Sequence, residues 1–217
     1  MITQALLIFL GVLLAVVLWQ MFKGQRASKA RQVPAPEPMP ALSQGSAVEL
    51  KTAKPGDVIS IHGGAEDFSD LDFTVDRRNR YESAGRKWTD LSGEFRGRRV
   101  WLEVYSGPTP ELMGLLDENR MTLPDVNTTE DVLAQMDAKQ DPSESVNFEN
   151  KRWQYESSRE IGFFENETGE GEGFYRWLFR EPGGDRLLCI EKWEGEPFDV
   201  RIARRLNQQD ITVYRAA

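Results

Sequence analysis

The sequence predicts a mostly β fold of the α+β class: two similar antiparallel β-units forming one core with a short helical insertion, preceded by one transmembrane helix. Three observations predict it. Ala5–Phe22 is an uncharged apolar run of membrane-spanning length. From Asp57 onward, short alternating or apolar runs are separated by turns containing Gly and Pro. Two blocks of that region share an order of Tyr-Glu-Ser, Trp and a strand ending in Glu.

Ala5–Phe22 comes first. Eleven of its first fifteen residues are Leu, Ile, Val or Phe. At about −0.3 to −0.6 kcal/mol each they favour insertion by at most roughly 3–7 kcal/mol. A helix of this length reaches roughly 27 Å, enough for the hydrocarbon core. A cleaved signal peptide would need a basic start and a small-residue exit. Met1-Ile-Thr-Gln carries no charge and Trp19-Gln20-Met21-Phe22 is bulky, so the span is expected to be retained. Lys23, Arg26, Lys29 and Arg31 follow with no acid until Glu37. Basic flanks stay on the cytoplasmic side. The expected layout is an extracytoplasmic N-terminus at 1–4, a transmembrane helix at 5–22, a basic then Pro-rich linker at 23–46, and a cytosolic β-rich domain at 47–217. This places a single-pass protein in the inner (cytoplasmic) membrane, with lipid as partner of the N-terminal helix. The Asn-x-Thr patterns at Asn127 and Asn166 are then accidental, since no glycosylating lumen is met.

The linker sequence QVPAPEPMPALSQGS, Gln32–Ser46, disfavours helix and strand and favours extended polyproline geometry. From Lys23 to Ala47 it reaches up to roughly 75 Å at about 3.1 Å per residue. The net charge of the chain is −8. Residues 1–46 hold four basic side chains and one acidic, leaving −11 for residues 47–217. An acidic domain argues against nucleic-acid binding. The single cysteine, Cys189, excludes an internal disulfide, and its apolar setting Leu187-Leu188-Cys189-Ile190 makes it a buried spectator.

Within the domain, Asp57–His62 follows a Lys54-Pro55-Gly56 turn, and Asp72–Arg77 alternates with Phe73 and Val75 on one face. Tyr81–Ser83 and Lys87–Leu91 are further short strands around Gly85. Arg98–Tyr105 is apolar on both faces and so is expected to be a central strand. Pro110–Asp117 is expected to be one or two helical turns. Thr128–Ala138 is the clearest soluble helix, with Thr128 or Thr129 as cap, Glu130 and Asp131 at its positive end, and Val132, Leu133 and Met136 as its apolar stripe. Strands resume at Lys151–Ser157, Glu160–Asn166, Gly173–Arg180, Arg186–Trp193, Phe198–Arg204 and Ile211–Tyr214, joined by hairpins such as Pro182-Gly183-Gly184-Asp185. The blocks Tyr81-Glu-Ser83, Trp88-x-x-Leu91, Val100-Trp-Leu-Glu103 and Tyr155-Glu-Ser157, Trp177-Leu178, Leu188-Cys-Ile-Glu191 suggest a duplication.

With Gly56-Asp57, Tyr81, Trp88-x-x-Leu91, Val100-Trp101-Leu102-Glu103 and Ile190-Glu191-x-Trp193 in place, the chain from about Ala47 to its end resembles the bacterial family called domain of unknown function 4178. Members of that family are mostly bacterial, and some carry a membrane span. They tend to be encoded near small membrane proteins, polyamine-synthase-like enzymes and phage-shock-type membrane-remodelling proteins. The resemblance implies a setting of envelope stress or membrane maintenance. It supplies no catalytic residues.

Little in the sequence points to a reaction. His62 is the lone histidine, so a triad or a histidine metal pair lacks parts. The acidic run Glu66, Asp67, Asp70, Asp72, Asp76 lacks calcium-loop spacing and reads as a solvated loop. Glu103 and Glu191, at matching places in the two blocks, are either an acid/base pair or strand-end acids facing solvent. No nucleotide-binding glycine motif is present. No catalytic, cofactor or metal residues are therefore assigned. One local departure is basic: Arg77, Arg78, Arg80, Arg86, Lys87, Arg96, Arg98 and Arg99 against Glu82, Asp90 and Glu94, a surplus of +5. Gathered at hairpin tips these would form a patch for anionic lipid or an acidic partner; dispersed, they are edge charges that block aggregation. The tryptophans read as core. The expected function is a membrane-tethered, non-enzymatic interaction module with a protein partner. The alternatives are a small-ligand binder or enzyme using carboxylates between the two β-units, and a structural subunit of a membrane complex.

Overall fold

The computed structural model describes residues 47–107, 111–116 and 120–216. The span expected at 5–22 and the linker at 23–46 lie outside the described residues. No helix among the described residues is long and apolar enough to cross a membrane.

The chain runs α1 (Ala47–Lys51), β1 (Val58–Ile61), β2 (Leu71–Ser83), β3 (Arg86–Phe95), β4 (Arg98–Tyr105), β5 (Leu112–Leu115), α2 (Glu130–Lys139), β6 (Ser145–Phe148), β7 (Lys151–Phe164), β8 (Glu172–Arg180), β9 (Arg186–Trp193), β10 (Phe198–Leu206) and β11 (Ile211–Tyr214). The hydrogen-bonded order is β11-β1-β2-β3-β4-β5-β10-β9-β8-β7-β6, and β2 pairs also with β7. That extra pairing joins the ends of β2-β3-β4-β5-β10-β9-β8-β7 into a closed, antiparallel, eight-stranded barrel. Closure removes the free edges of that ring.

Two long strands make closure possible. β2 and β7 have 13 and 14 residues. The first part of each pairs with a flanking strand, β1 or β6. The last part of each pairs with the other, Arg80–Glu82 against Gly162–Phe164. Between the two parts each strand carries one bulge, with Asp76 and Glu156 as the extra residues. A bulge bends its strand and resets the side-chain alternation. Phe73 and Val75 therefore face an outer core, whereas Asn79 and Tyr81 face the barrel interior. Gly93 lies opposite Val75 at this bend. A Cβ there would sit 2.2 Å from the Thr74 carbonyl oxygen, so the crossing excludes any larger residue. Asp72–Arg77 and Tyr81–Ser83, expected as separate strands, are both parts of β2, and Lys151–Ser157 and Glu160–Asn166 run together in β7 as far as Phe164.

Strands β1–β5 and β6–β10 run in matching register. Tyr81, Trp88 and Tyr105 lie in one row, and Ile161, Phe174 and Trp193 in the other. Asp90 faces Glu103 across β3–β4, and Arg176 faces Glu191 across β8–β9. Glu103 and Glu191 thus hold equivalent places. Tyr81 matches Ile161 rather than Tyr155, because aligning the bulges puts Tyr155 in the place of Val75.

Apolar cores cover the outside of the ring and fill part of its inside. One outer core joins Phe73, Leu91, Val100 and Leu102 to β1, β11 and Leu50 of α1. The other joins Trp153, Trp177, Phe179 and Ile190 to Leu133 and Met136 of α2. Thr129 caps α2 by accepting from the Val132 N–H, and Gln140 ends it in the left-handed region. Val132, expected in the buried stripe, is exposed. Of Pro110–Asp117, expected to be one or two helical turns, Pro110 and Asp117 lie outside the described residues and the rest contains β5 instead. Leu112–Leu115 is buried and hydrogen-bonded on both sides, to β4 and β10, and that pairing overrides the local turn signal. The two ends of the domain are clipped together by buried Asp57. It accepts from the Lys54 N–H (3.0 Å), the Ala216 N–H (3.0 Å) and Arg215 Nη1 (2.7 Å).

Candidate functional site

Side chains alternate along each barrel strand, so one set points inward. On β3 these are Trp88, Asp90 and Ser92; on β4, Trp101, Glu103 and Tyr105; on β8, Phe174, Arg176 and Leu178; on β9, Leu187, Cys189, Glu191 and Trp193. Most are apolar or aromatic. Four are ionisable groups at the equivalent positions of the two halves: Asp90, Glu103, Arg176 and Glu191.

Arg176 is the hub of this interior. Its Nη1 and Nη2 donate to the two oxygens of Glu103 at 2.9 and 2.7 Å. Its Nε donates to Glu191 Oε1 at 2.8 Å, and Nη2 lies 2.7 Å from the same atom. Glu103 Oε2 also accepts from Trp88 Nε1 (3.0 Å) and Tyr105 OH (2.7 Å). Burial works against the charge on Arg176, but the two glutamates outweigh it and hold the guanidinium protonated far above its usual range. Burial and the neighbouring carboxylate push the Tyr105 hydroxyl up, which keeps it a donor. Geometry of this kind suits a paired, fully hydrogen-bonded ion cluster.

Asp90 is different. It is 1 % exposed, and its Oδ2 accepts from Asn79 Nδ2 at 3.1 Å. Its Oδ1 is buried and has no hydrogen-bond partner. Burial, followed by the Glu103 charge, pushes its carboxyl up to about 8. Its surroundings thus favour the protonated form, and one oxygen of the carboxyl has no partner. Buried polar atoms without partners are rare and ask for a ligand or water. Asp90 lies against a cavity of about 300 Å³ that opens at one barrel mouth. Trp101, Trp193, Phe163 and Tyr81 supply its apolar walls, and Arg77, Arg99 and Arg201 its rim. Arg201 is paired with Asp199 and lies over the Trp101 ring at 4.7 Å. A second cavity of about 300 Å³ opens beside Arg86, Arg159 and Arg205, with Leu112, Leu178 and Leu187 in its wall.

The eight basic residues singled out in the sequence do not form one patch. Arg77, Arg78 and Arg80 lie along β2, Arg86 and Lys87 at one end of β3, and Arg96, Arg98 and Arg99 at its other end. Six are engaged. Arg78 pairs with Glu167, Arg80 and Lys87 with Glu82, Arg96 with Asp67, Arg98 with Glu66 and Arg99 with Asp76. The acidic run at 66–76 supplies three of those partners. Arg77 and Arg86 make no hydrogen bond or ion pair among the described residues, and each stands at the mouth of a cavity.

Glu103 and Glu191 do meet, but not as strand-end acids facing solvent: Glu103 is 1 % exposed. Nor is Glu103 placed as a general base, because both of its oxygens are already taken. His62 is exposed and paired with Asp70 at 2.7 Å, remote from the barrel interior. Cys189 is buried, and that burial pushes its thiol well up. Neither Asp90 nor Arg176 stood out in the sequence as a candidate site residue. The available signal was parity: Asp90 is two residues from Trp88, and Arg176 lies midway between Phe174 and Leu178, each on the apolar side of its strand.

A family model described as "Domain of unknown function (DUF4178)" matches residues 54–208. No curated protein and no solved structure matches the chain.

Proposed function

The chain belongs to the domain of unknown function 4178 family, and from there we propose that it is a membrane-tethered, non-enzymatic binding protein whose barrel interior takes a small molecule. The observation that carries this reading is Asp90: a buried carboxyl with an unused oxygen, lying against a cavity of about 300 Å³. A volume near ten waters is that of a small metabolite. Rigid walls support binding rather than turnover, since Glu103 is held by four donors and the Arg176 fork is closed. The tether rests on Ala5–Phe22 and its basic flank, and the Pro-rich linker gives the domain reach on the cytosolic side. A bacterial setting of envelope stress or membrane maintenance rests on the family resemblance.

The test uses the full chain. Sedimentation with membranes, and release by detergent alone, is the expected result for the tether. For the cavity, the detergent-solubilised protein is screened by thermal shift against carboxylates, amines, sugars and nucleosides. Compounds that raise the melting temperature of the parent but not of Ser92→Phe, which fills the cavity, support the reading. A flat response across the panel would return preference to surface docking of a protein partner.

A further inference from the structure

Much of the hydrogen-bonding capacity of the Asp90 cavity is spoken for, and most of what remains is donors. Both oxygens of Glu103 are taken, and the donors of Arg176 are divided between Glu103 and Glu191. Arg99 closes its fork on Asp76 at 2.9 and 2.8 Å. Arg201 is held by Asp199. Besides the indole N–H groups of Trp101 and Trp193 and the Tyr81 hydroxyl, which make no hydrogen bond among the described residues, two acidic or basic side chains are left. Arg77 is exposed and makes no hydrogen bond or ion pair among the described residues, although its charge acts on Asp76. Asp90 has an unpartnered Oδ1.

The ladder places these two together. Arg77 lies opposite Ser92, and Asn79 opposite Asp90, on the inward face of β2 and β3. Arg77 and Asp90 are therefore diagonal neighbours, with backbones about 7–8 Å apart. A guanidinium and an acid O–H at that separation can both reach one ligand group. Of the four arginines that line the cavity, Arg99 and Arg201 are neutralised by Asp76 and Asp199 and Arg176 by Glu103 and Glu191, which leaves Arg77 as the cation open to a ligand. Arg77 offers only donors, so the ligand group seated there must bring acceptors. The remaining acceptor, the second oxygen of Glu191, belongs to a carboxylate already held by Arg176 and is open to a hydroxyl or amino group on the same ligand.

Deepening the small-molecule reading above, on which it rests, we infer that the cavity takes a small organic acid, its carboxylate seated between Arg77 and Asp90 and its body against Trp101 and Trp193. Asp90 faces Asn79 and Tyr81 from β2, Glu103 from β4, Arg176 from β8 and Glu191 from β9, with Arg99 nearby. While it keeps its proton, Asp90 donates to the ligand; once ionised, it repels it. Binding therefore weakens above pH 8, the reverse of what a cationic ligand would show.

The experiment titrates the detergent-solubilised full chain with sodium benzoate, benzamide and benzylammonium chloride, three probes of one shape and different charge, followed by tryptophan fluorescence. Saturable binding of benzoate is expected, at least tenfold tighter than either other probe. Arg77→Gln should weaken it about tenfold or more, and Arg86→Gln, at the opposite mouth, should leave it unchanged. Above pH 8 the affinity should fall by up to about tenfold per pH unit, and Asp90→Asn should flatten that profile. Preference for benzylammonium, affinity that rises above pH 8, or equal binding of benzamide and benzoate would overturn the acid assignment and leave the binding function standing. If the Arg86 variant alone loses binding, the site is misplaced. If no probe binds and the metabolite panel is also flat, both readings fall.

Discussion

Asp90 keeps a proton that the unfolded chain gives up, and this has a consequence for stability. Its carboxyl moves from 3.8 when free to about 8 when buried beside Glu103. Between those values the folded state binds one more proton than the unfolded state. Stability is therefore full below pH 4 and declines as pH rises toward 8, by about 1.4 kcal/mol per unit for this group alone. Asp57 has the opposite sign. Burial pushes its carboxyl up, but the Ala216 and Lys54 N–H groups and Arg215 outweigh this, so its contribution is present above pH 4 and lost as pH falls through its depressed value. Asp90→Asn preserves the size of the side chain and retains an acceptor for Asn79. It should raise stability at pH 7.5 while changing little at pH 4.5, a difference that urea unfolding at the two values reads directly. Equal effects at both would mean that Asp90 is ionised in the folded state.

The helix α2 is docked by a polar relay as much as by its apolar residues. Asp137 Oδ1 accepts from Ser158 Oγ and Tyr175 OH, both at 2.5 Å, and from Gln140 Nε2 at 2.9 Å. Burial and the bond to Asp137 push the Tyr175 hydroxyl up to about 12, so it remains a donor throughout the ordinary pH range. Trp177 Nε1 adds a bond to the Leu133 carbonyl at 3.2 Å. Only Leu133 and Met136 of the helix are buried. The relay therefore carries a large share of the docking. Asp137→Ala removes the shared acceptor of Ser158 and Tyr175, while Gln140 keeps the Asp137 carbonyl and Ser158 Oγ, and should destabilise the protein by about 1–3 kcal/mol. Hydrogen exchange should show the loss first in Glu130–Lys139, with β2–β5 still protected. Uniform loss across both halves would show that α2 is not a separable docking unit.

For the whole molecule, the ion cluster is a cross-link between halves. Glu103 comes from the first meander, Arg176 and Glu191 from the second, and the seams β2–β7 and β5–β10 hold them together by backbone bonds. Arg176→Met leaves two carboxylates buried without their cation, at an expected cost of about 3–5 kcal/mol. Combining it with Glu103→Gln and Glu191→Gln should restore much of that loss, because a neutral interior has no charge left to compensate. Thermal unfolding of the single and triple variants decides it; a triple variant no better than the single one would show that the cluster contributes by shape alone.

Much of this architecture was legible in the residues themselves. Arg98–Tyr105, Arg186–Trp193 and Ile211–Tyr214 are strands to the residue, and Thr129 starts the helix that its composition calls for. Those are local matters: alternation, caps and turn chemistry act within a few residues. The register equivalence of Glu103 and Glu191 was legible too, since it lies within two similar strands. What the tertiary structure alone decided was where the inward faces converge. The bulges at Asp76 and Glu156 bend β2 and β7 so that they meet, and a short segment led by Pro110 becomes β5 because two strands stand ready to pair with it. Closing the ring turned ordinary alternating positions into an enclosed polar interior. An isolated strand does not reveal that Asp90 lacks a partner, because desolvation and the missing hydrogen bond arise only when seven other strands exclude water around it.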